Sequence, residues 1–398
     1  MHLRVTSLLV LTLVSSIIAS AQVSEDQFLK LLRDRAGFQE ADMSTLNSGQ
    51  SVIKVLPAND KREVAVCGAV RLGKVSELTL TAFRQAIATR SNKAVLAEGK
   101  FSSPPVIEDL APLKLENRDI EELKQCDPGN FDIKISANMI NRLRSGVDWD
   151  APDYREQVTK LFSTIIVEYT RDYLVRGDKA LIQIDSRKTP VNLPDENREM
   201  LERALFIKEL APEFYKYLSG YPRYQMPDVD TGLLWSKIST GIKPIVTITQ
   251  TSAYANTGAG LPQFVVMAKQ VLATRYVESS LAFTYLVSFP AQGATETYLV
   301  FTNLSKSDAL AGAFGGVKRS LVEKAAFERT GEMLSLAKYR LENPNSAAEP
   351  TDQDGIANRL IPDQQIAKWA GALTVLLSLI AAIAAIIYRK RNHKISGT

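Results

Sequence analysis

The sequence RYVESSLAFTYLVSF, residues 275–289, sorts its side chains into two sets by position. From Leu281 to Phe289 the odd positions are large and apolar, whereas the even positions are mixed and mostly small. Alternation with a period of two is typical of a β-strand whose faces have different environments. We predict that the large face packs under the C-terminal helix. The small face leaves volume for a ligand, so the candidate ligand-binding residues are Tyr276, Glu278, Ser280, Ala282 and Thr284.

Further strand patterns surround this segment. Alternating or apolar runs extend over residues 243–303, and turns that contain Gly or Pro separate them at 256–260 and 290–293. Such turns favour antiparallel pairing of neighbouring strands. Apolar residues at helical spacing mark 153–176, 195–219 and about 307–342. The predicted fold class is α+β: an antiparallel sheet meander with a long C-terminal helix, plus one C-terminal transmembrane helix.

The two ends of the chain have targeting patterns. A weakly basic start, an apolar run and Ala19-Ser20-Ala21 predict a cleaved signal peptide, with an uncleaved anchor as the alternative. Trp369 to Ile387 contains no charged residue and would cover about 28 Å as a helix, close to the thickness of a bilayer core. Four cations follow this segment and Lys368 alone precedes it, which predicts a cytoplasmic C-terminus.

These patterns predict a type I, single-pass protein of the inner (cytoplasmic) membrane with a periplasmic domain. Its membrane contact is assigned to Trp369 to Ile387. The expected segments are a signal peptide (1–21), an N-terminal helical segment (22–50), an α+β extracytoplasmic domain (51–342), a polar tether (343–365), a transmembrane helix (366–388) and a basic cytoplasmic tail (389–398).

The charge distribution and the histidines exclude several functions. Six of the 48 basic residues lie in the predicted signal peptide, at the edge of the predicted span or in the tail. All 44 acidic residues lie between these ends, so the exported part carries a net charge of −2 and does not favour nucleic acid. The two histidines, His2 and His393, also lie at the ends, which removes histidine catalysis and histidine metal sites from the exported part.

The acidic run VDWDAPDY (147–154) fits a helix start better than a calcium loop, because it lacks the glycine that such a loop needs. No phosphate-binding or cofactor motif is present. We therefore predict neither a metal nor a cofactor.

The chain contains two cysteines, Cys67 and Cys126. In an exported protein such a pair favours one disulfide. Closing a loop of about 60 residues would stabilise the fold by roughly 4 kcal/mol. Two separate buried thiols are the alternative.

Several phrases resemble an uncharacterised family of exported bacterial proteins. They are REVAVCGAVRL (62–72), FSSPPVIEDLAPLKL (101–115), CDPGNFDIKIS (126–136), VDWDAPDYREQ (147–157), KQVLATRYVESSLAFTYLV (269–287) and YLVFTNLSKSDALAGAFGGVKRS (298–320). The resemblance covers most of residues 50–340 and implies no activity. The order of elements is also similar to the helix-grip folds of START and polyketide-cyclase-like proteins. That similarity implies a sheet wrapped around the terminal helix, with a cavity for a hydrophobic molecule.

Three functional hypotheses follow. The first is a non-enzymatic extracytoplasmic domain that binds a lipid or another hydrophobic small molecule. The second is a structural or assembly protein that contacts another envelope protein. The third is a carboxylate-based hydrolase, with Glu168 and Glu278 as candidates because burial in apolar stretches raises the pKa of a carboxyl group. The absence of histidine from the exported part favours a non-enzymatic role, and we assign no catalytic residue.

Overall fold

The computed structural model describes residues 23–344, apart from 76–77, 89–94, 128, 130–131, 186–188, 240–242, 257–262, 292–293 and 312–314. The predicted signal peptide, the tether beyond residue 344, the predicted transmembrane helix and the basic tail lie outside the described residues.

The helices begin and end as follows: α1 (Glu25–Ala36), α2 (Glu40–Asn47), α3 (Leu80–Ile87), α4 (Asn117–Gln125), α5 (Ala137–Gly146), α6 (Tyr154–Arg176), α7 (Leu193–Arg203), α8 (Ile207–Leu210), α9 (Pro212–Gly220) and α10 (Gly315–Glu342). The strands are β1 (Val52–Leu56), β2 (Glu63–Leu72), β3 (Val95–Lys100), β4 (Gln183–Ile184), β5 (Val191–Asn192), β6 (Val229–Ile238), β7 (Ile245–Asn256), β8 (Gln263–Ala273), β9 (Ser279–Ala291) and β10 (Ala294–Lys306).

One eight-stranded antiparallel sheet organises the protein, in the order β1-β2-β10-β9-β8-β7-β6-β3. Strands β7 to β10 form the meander that the sequence predicts over 243–303, and β6, which the sequence analysis missed, precedes them in the same sheet. The hairpin of β1 and β2 extends the sheet beside β10, and β3 extends it beside β6. Strands β4 and β5 form a separate short ladder.

Helices cover both faces of the sheet. On one face, α3 and α10 enclose a hydrophobic cluster that includes Phe83, Val322, Ala326 and Leu334. On the other face, α1, α2 and α7–α9 pack over β2, β10 and β9. Helices α4–α6 pack over β6–β8 on that same face. The protein is therefore built of three layers, with the sheet in the middle.

The faces of β9 point the opposite way from the prediction. Its large odd face, which includes Phe283, Tyr285 and Phe289, packs under the N-terminal helices and α7–α9 instead of under α10. Phe28 of α1 contacts the rings of Phe289 and Tyr298, with centroid distances of 5.4 Å and 5.2 Å. The small even face looks towards α3 and α10. The described part of the predicted N-terminal helical segment, residues 23–50, thus belongs to the same packed core as the sheet.

Helix α10 is fixed on the sheet by close packing and by hydrogen bonds from its cations. A Cβ atom at Gly68 of β2 would lie 2.7 Å from side-chain carbons of Thr330 and Leu334, so a larger residue here would force those side chains to move. Near the start of α10, Arg319 donates to the backbone carbonyl of Glu63 at 2.5 Å. Near its end, Lys338 donates to the carbonyl of Arg71 at 2.8 Å.

The predicted fold class is wrong in its transmembrane component. Within the described ranges, no helix is both long enough and apolar enough to cross a membrane. The two longest, α10 with 28 residues and α6 with 23, carry charged side chains along their length. What the structure contains is a mixed α+β domain with an antiparallel sheet, covered by helices on both faces.

Candidate functional site

The small face of β9 is fully enclosed. Ser280 and Ala282 are 0% exposed and Thr284 is 1% exposed, because α3 and α10 lie over this side of the sheet. Of the five predicted ligand-binding residues, these three share one buried face. Tyr276 and Glu278 lie just before Ser279, the first residue of β9.

On β9 and β10, buried polar side chains satisfy one another. Ser280 Oγ lies 2.6 Å from Ser305 Oγ and accepts a hydrogen bond from Asn303 Nδ2 at 3.2 Å. Ser305 Oγ in turn donates to Asn303 Oδ1 at 2.8 Å. The three side chains form a closed network on the enclosed face, so none of them requires a further partner.

The polar surface continues onto β8 and β7. Thr249 pairs with Gln270 in the ladder, and the register places Gln270 beside Ser280. Thr251 pairs with Ala268, which pairs with Ala282. We call this continuous surface the polar face; its residues are Thr249, Thr251, Gln270, Ser280, Asn303 and Ser305.

Three polar atoms of this surface have no hydrogen-bond partner among the described residues: Thr249 Oγ1, Thr251 Oγ1 and Gln270 Oε1. Their residues are at most 2% exposed. Gln270 Nε2 donates to the backbone carbonyl of Glu278 at 3.2 Å, which fixes the orientation of the amide and leaves Oε1 without a donor. Buried polar groups are hydrogen-bonded in the great majority of cases. Other buried atoms of the described residues, such as Thr302 Oγ1 and Thr330 Oγ1, also lack a partner, but these three are neighbours on one face of two paired strands.

The same face of β7 and β8 continues into an apolar cluster under α3. Helix α3 packs over β7 and β8, and its Phe83 stacks on Phe264 of β8 with a centroid distance of 5.9 Å. Ala268 and Ala282 occupy the centre of the face and add only a methyl group each. The site therefore combines unpaired oxygen atoms with an apolar surface.

A cluster of compensated charges surrounds Glu278. Its carboxylate accepts from Arg62 Nη1 at 2.9 Å and lies 3.9 Å from Lys134 Nζ. Lys134 also pairs with Asp308 at 3.0 Å, and Arg62 with Glu196 at 2.8 Å. Burial raises the pKa of Glu278, and the positive charges of Lys134 and Arg62 oppose that rise. Every charge in the cluster faces an opposite charge, which is the arrangement of a structural ion network.

Glu168, the other candidate for hydrolysis, lies on α6 with its side chain 48% exposed. It forms an ion pair with Arg142 at 2.7 Å. Glu168 and Glu278 lie on different elements with separate charge partners, so the structure does not bring them together as a catalytic pair.

Tyr276 has a strained backbone. Its φ angle is 61°, and the N–H of Val277 donates to the carbonyl of Arg275 at 2.7 Å, which closes a γ-turn around Tyr276. Ser307 Oγ donates to the carbonyl of Tyr276 at 2.5 Å and holds the turn in place. A bulky residue in this conformation costs about 1–3 kcal/mol, which the surrounding contacts offset.

A small cavity lies beside Arg275 and is lined by Asp119, Lys237, Thr274 and apolar side chains. Its volume is about 20 Å³, which is room for about one water molecule. Arg275 donates to Asp119 at 2.7 Å and to Glu122 at 2.8 Å, and Lys237 donates to Glu116 at 2.6 Å. The cations of this cavity are already paired, and its size does not suit a lipid.

The predicted Cys67–Cys126 disulfide is wrong. Both cysteines are buried free thiols. Cys67 of β2 packs under α1, α2 and α7–α9, whereas Cys126, just after α4, packs in the cluster under α4–α6. Burial raises the pKa of both thiols, that of Cys126 to about 12, so neither is a reactive thiolate at neutral pH.

In the part of the chain that the structure describes, no group of three or more His, Cys, Asp or Glu side chains is arranged to hold a metal ion.

Comparison with protein-family models, with curated protein sequences and with solved structures gives no significant match to this chain. The resemblance to a family of exported bacterial proteins therefore stays a prediction, and the site has to be interpreted from its own geometry.

Sequence reasoning missed Thr249, Thr251 and Gln270. One signal for the first two is present: KPIVTITQTSAY (243–254) has Thr at 247, 249 and 251, which places three hydroxyl groups on one face of a strand. Nothing in the sequence marks Gln270, because its role depends on the register of β7 with β8 and on a contact with the carbonyl of Glu278.

Proposed function

We propose that this protein is a non-catalytic binding domain that holds a small molecule between the polar face and α3. The observation that carries the proposal is the group of unpaired buried oxygens on Thr249, Thr251 and Gln270. They are neighbours in two paired strands and belong to one face of the sheet.

The energetics favour an occupant. A buried polar group without a hydrogen bond costs roughly 1–3 kcal/mol in proteins. Three such groups within one site would together cost an amount comparable to the free energy of unfolding of a typical domain, which is about 5–15 kcal/mol. A molecule that supplies hydrogen bonds to them removes this cost and gains affinity from it.

The geometry supports binding better than hydrolysis. Glu278 is enclosed and paired with Arg62 and Lys134, and Glu168 is a surface ion pair. A hydrolase needs its carboxylates to face one substrate cleft. The expected ligand also differs from the purely hydrophobic one that the sequence suggested, because the enclosed face offers oxygen atoms to it.

Native mass spectrometry of the full-length protein tests the proposal, both as purified and after incubation with a small-molecule extract of the producing cells. We expect a bound mass that is released on denaturation. The double variant Thr249→Val/Thr251→Val should lose this mass while keeping the far-UV circular dichroism spectrum of the parent protein.

The matched control is Thr302→Val. Thr302 is also a buried threonine of the same sheet, but it lies opposite Phe283 on the other face. This variant should retain the bound mass. A parent protein that carries no bound molecule under either condition would contradict the proposal, and so would equal retention in both variants.

A further inference from the structure

We infer that the ligand of the polar face is a neutral molecule that donates a hydrogen bond and carries a small apolar body. This inference rests on the proposed function and adds the chemical class of the ligand.

The requirement for a donor comes from Gln270. Its Nε2 is committed to the carbonyl of Glu278 at 3.2 Å, so the group that it presents to the site is the acceptor Oε1. The hydroxyl groups of Thr249 and Thr251 both donate and accept, so they accommodate either kind of partner. A ligand without a donor would leave Gln270 Oε1 unpaired.

The requirement for neutrality comes from the charges around the site. The side chains that pack between the sheet, α3 and α10 form an apolar cluster. The cations beside Glu278, Arg62 and Lys134, already pair with Glu196, Glu278 and Asp308. An ionised ligand would lose its hydration without gaining a counter-ion, which is costly in an enclosed apolar site.

The apolar body follows from the rest of the surface. Ala268 pairs with Thr251 and with Ala282 in the sheet, so two small apolar side chains lie beside the unpaired hydroxyl group of Thr251. These groups offer contact without hydrogen bonds. Small alcohols and small primary or secondary amides combine one donor with such a body.

Four probes of similar size separate the chemical requirements: 1-hexanol, the donor-free ether 1-methoxypentane, hexanoate and hexylammonium. Titration of the full-length protein at pH 7, followed by isothermal calorimetry and amide chemical shifts, measures their affinities. We expect 1-hexanol to bind at least tenfold more tightly than each of the other three.

The variant Gln270→Met keeps the size of the side chain and removes both its acceptor Oε1 and the Nε2 donor to the carbonyl of Glu278. We expect it to lower the affinity for 1-hexanol to that for 1-methoxypentane, while the affinity for 1-methoxypentane stays unchanged. The control variant Thr302→Val should behave like the parent protein.

Equal affinity for the alcohol and the ether in the parent protein, or tighter binding of hexanoate or hexylammonium, would overturn the inferred ligand class and leave the proposed binding function intact. Absence of binding by all four probes, together with no bound mass in native mass spectrometry, would overturn both.

Discussion

Thr249 of β7 and Gln270 of β8 lie opposite each other in the sheet, and each holds a buried oxygen atom that has no hydrogen-bond partner among the described residues. One pair of residues earlier on the same face, Thr247 Oγ1 lies 2.9 Å from Ser236 Oγ. Strand β7 therefore carries, at successive positions of one face, Thr247 with a hydrogen-bonded hydroxyl group and Thr249 with an unpaired one. This contrast locates the candidate site and provides a direct comparison for mutagenesis.

The first prediction uses that contrast. In protein freed of small molecules, Thr247→Val should lower the free energy of unfolding by about 1–3 kcal/mol, because it leaves Ser236 buried without a partner. Thr249→Val should change it by less than about 0.5 kcal/mol or raise it, since no hydrogen bond is lost. Urea unfolding measures both. An equal loss in the two variants would mean that Thr249 has a protein partner.

The second prediction concerns the charge cluster. Lys306 is 1% exposed and donates to Glu196 at 2.5 Å and to Glu199 at 3.0 Å. Lys306→Met should lower the free energy of unfolding by about 1–3 kcal/mol, because Glu196 and Glu199 each lose one cation and keep only Arg62 and Arg203. Lys216→Met, which removes an exposed surface pair with Glu213, should leave the stability nearly unchanged. Chemical denaturation measures the stability of both variants. Similar losses of stability in the two would contradict this explanation.

The third prediction is a pH dependence. Burial of Glu122 opposes ionisation, but hydrogen bonds from Arg275 and Lys243 outweigh it and lower the pKa of this carboxyl group. Because the folded pKa lies below the unfolded value of about 4.3, the ionised group stabilises the fold above that value. The contribution is lost as the pH falls through the folded pKa. Glu122→Gln should be less stable than the parent protein at pH 7, and the difference should shrink on acidification.

Glu98 provides a control, because its effect on stability should depend on pH in the opposite direction. Burial raises its pKa, so its contribution is present below the unfolded pKa and is lost as the pH rises through the folded value. Glu98→Gln should therefore be relatively more stable than the parent protein at pH 7 than at pH 3. Thermal unfolding of both variants between pH 3 and pH 7 checks the two signs. The same sign for both variants would contradict the prediction.

The fourth prediction tests how α10 is seated. Gly68→Ala would force a methyl group to within 2.7 Å of carbons of Thr330 and Leu334, and we expect a loss of about 1–3 kcal/mol from overpacking. Gly316→Ala, at a position of α10 with open space around it, should stabilise by about 0.5–1 kcal/mol. Urea denaturation distinguishes the two. Tolerance of Ala at position 68 would mean that α10 does not pack tightly on β2.

The fifth prediction concerns the thiols. The native protein should react slowly with a thiol reagent, because Cys67 and Cys126 are buried and their pKa values are raised. After denaturation without a reductant, two thiols per chain should react. Absence of reactive thiols in the denatured chain would show that Cys67 and Cys126 form a disulfide after all.

Much of the sheet could be predicted from the sequence. The alternation in residues 275–289 and in 243–254 is local information, since successive side chains of a strand point to opposite faces whatever surrounds them. Strand β9 and the antiparallel meander followed from that pattern. The helical segment predicted over 195–219 proved to be three helices, because Phe206 adopts a positive φ of 69° and Pro212 starts α9.

The sequence by itself determined that residues 243–303 form strands, which residues share a face of β9, and that residues 23–344 contain no histidine. Only the tertiary structure decided which helices cover which face, that Cys67 and Cys126 lie in separate clusters, and that Thr249, Thr251 and Gln270 meet without partners. The physical reason is that periodicity acts over a few neighbouring residues. Layer order, strand register and hydrogen-bond satisfaction depend on groups that are distant in the chain.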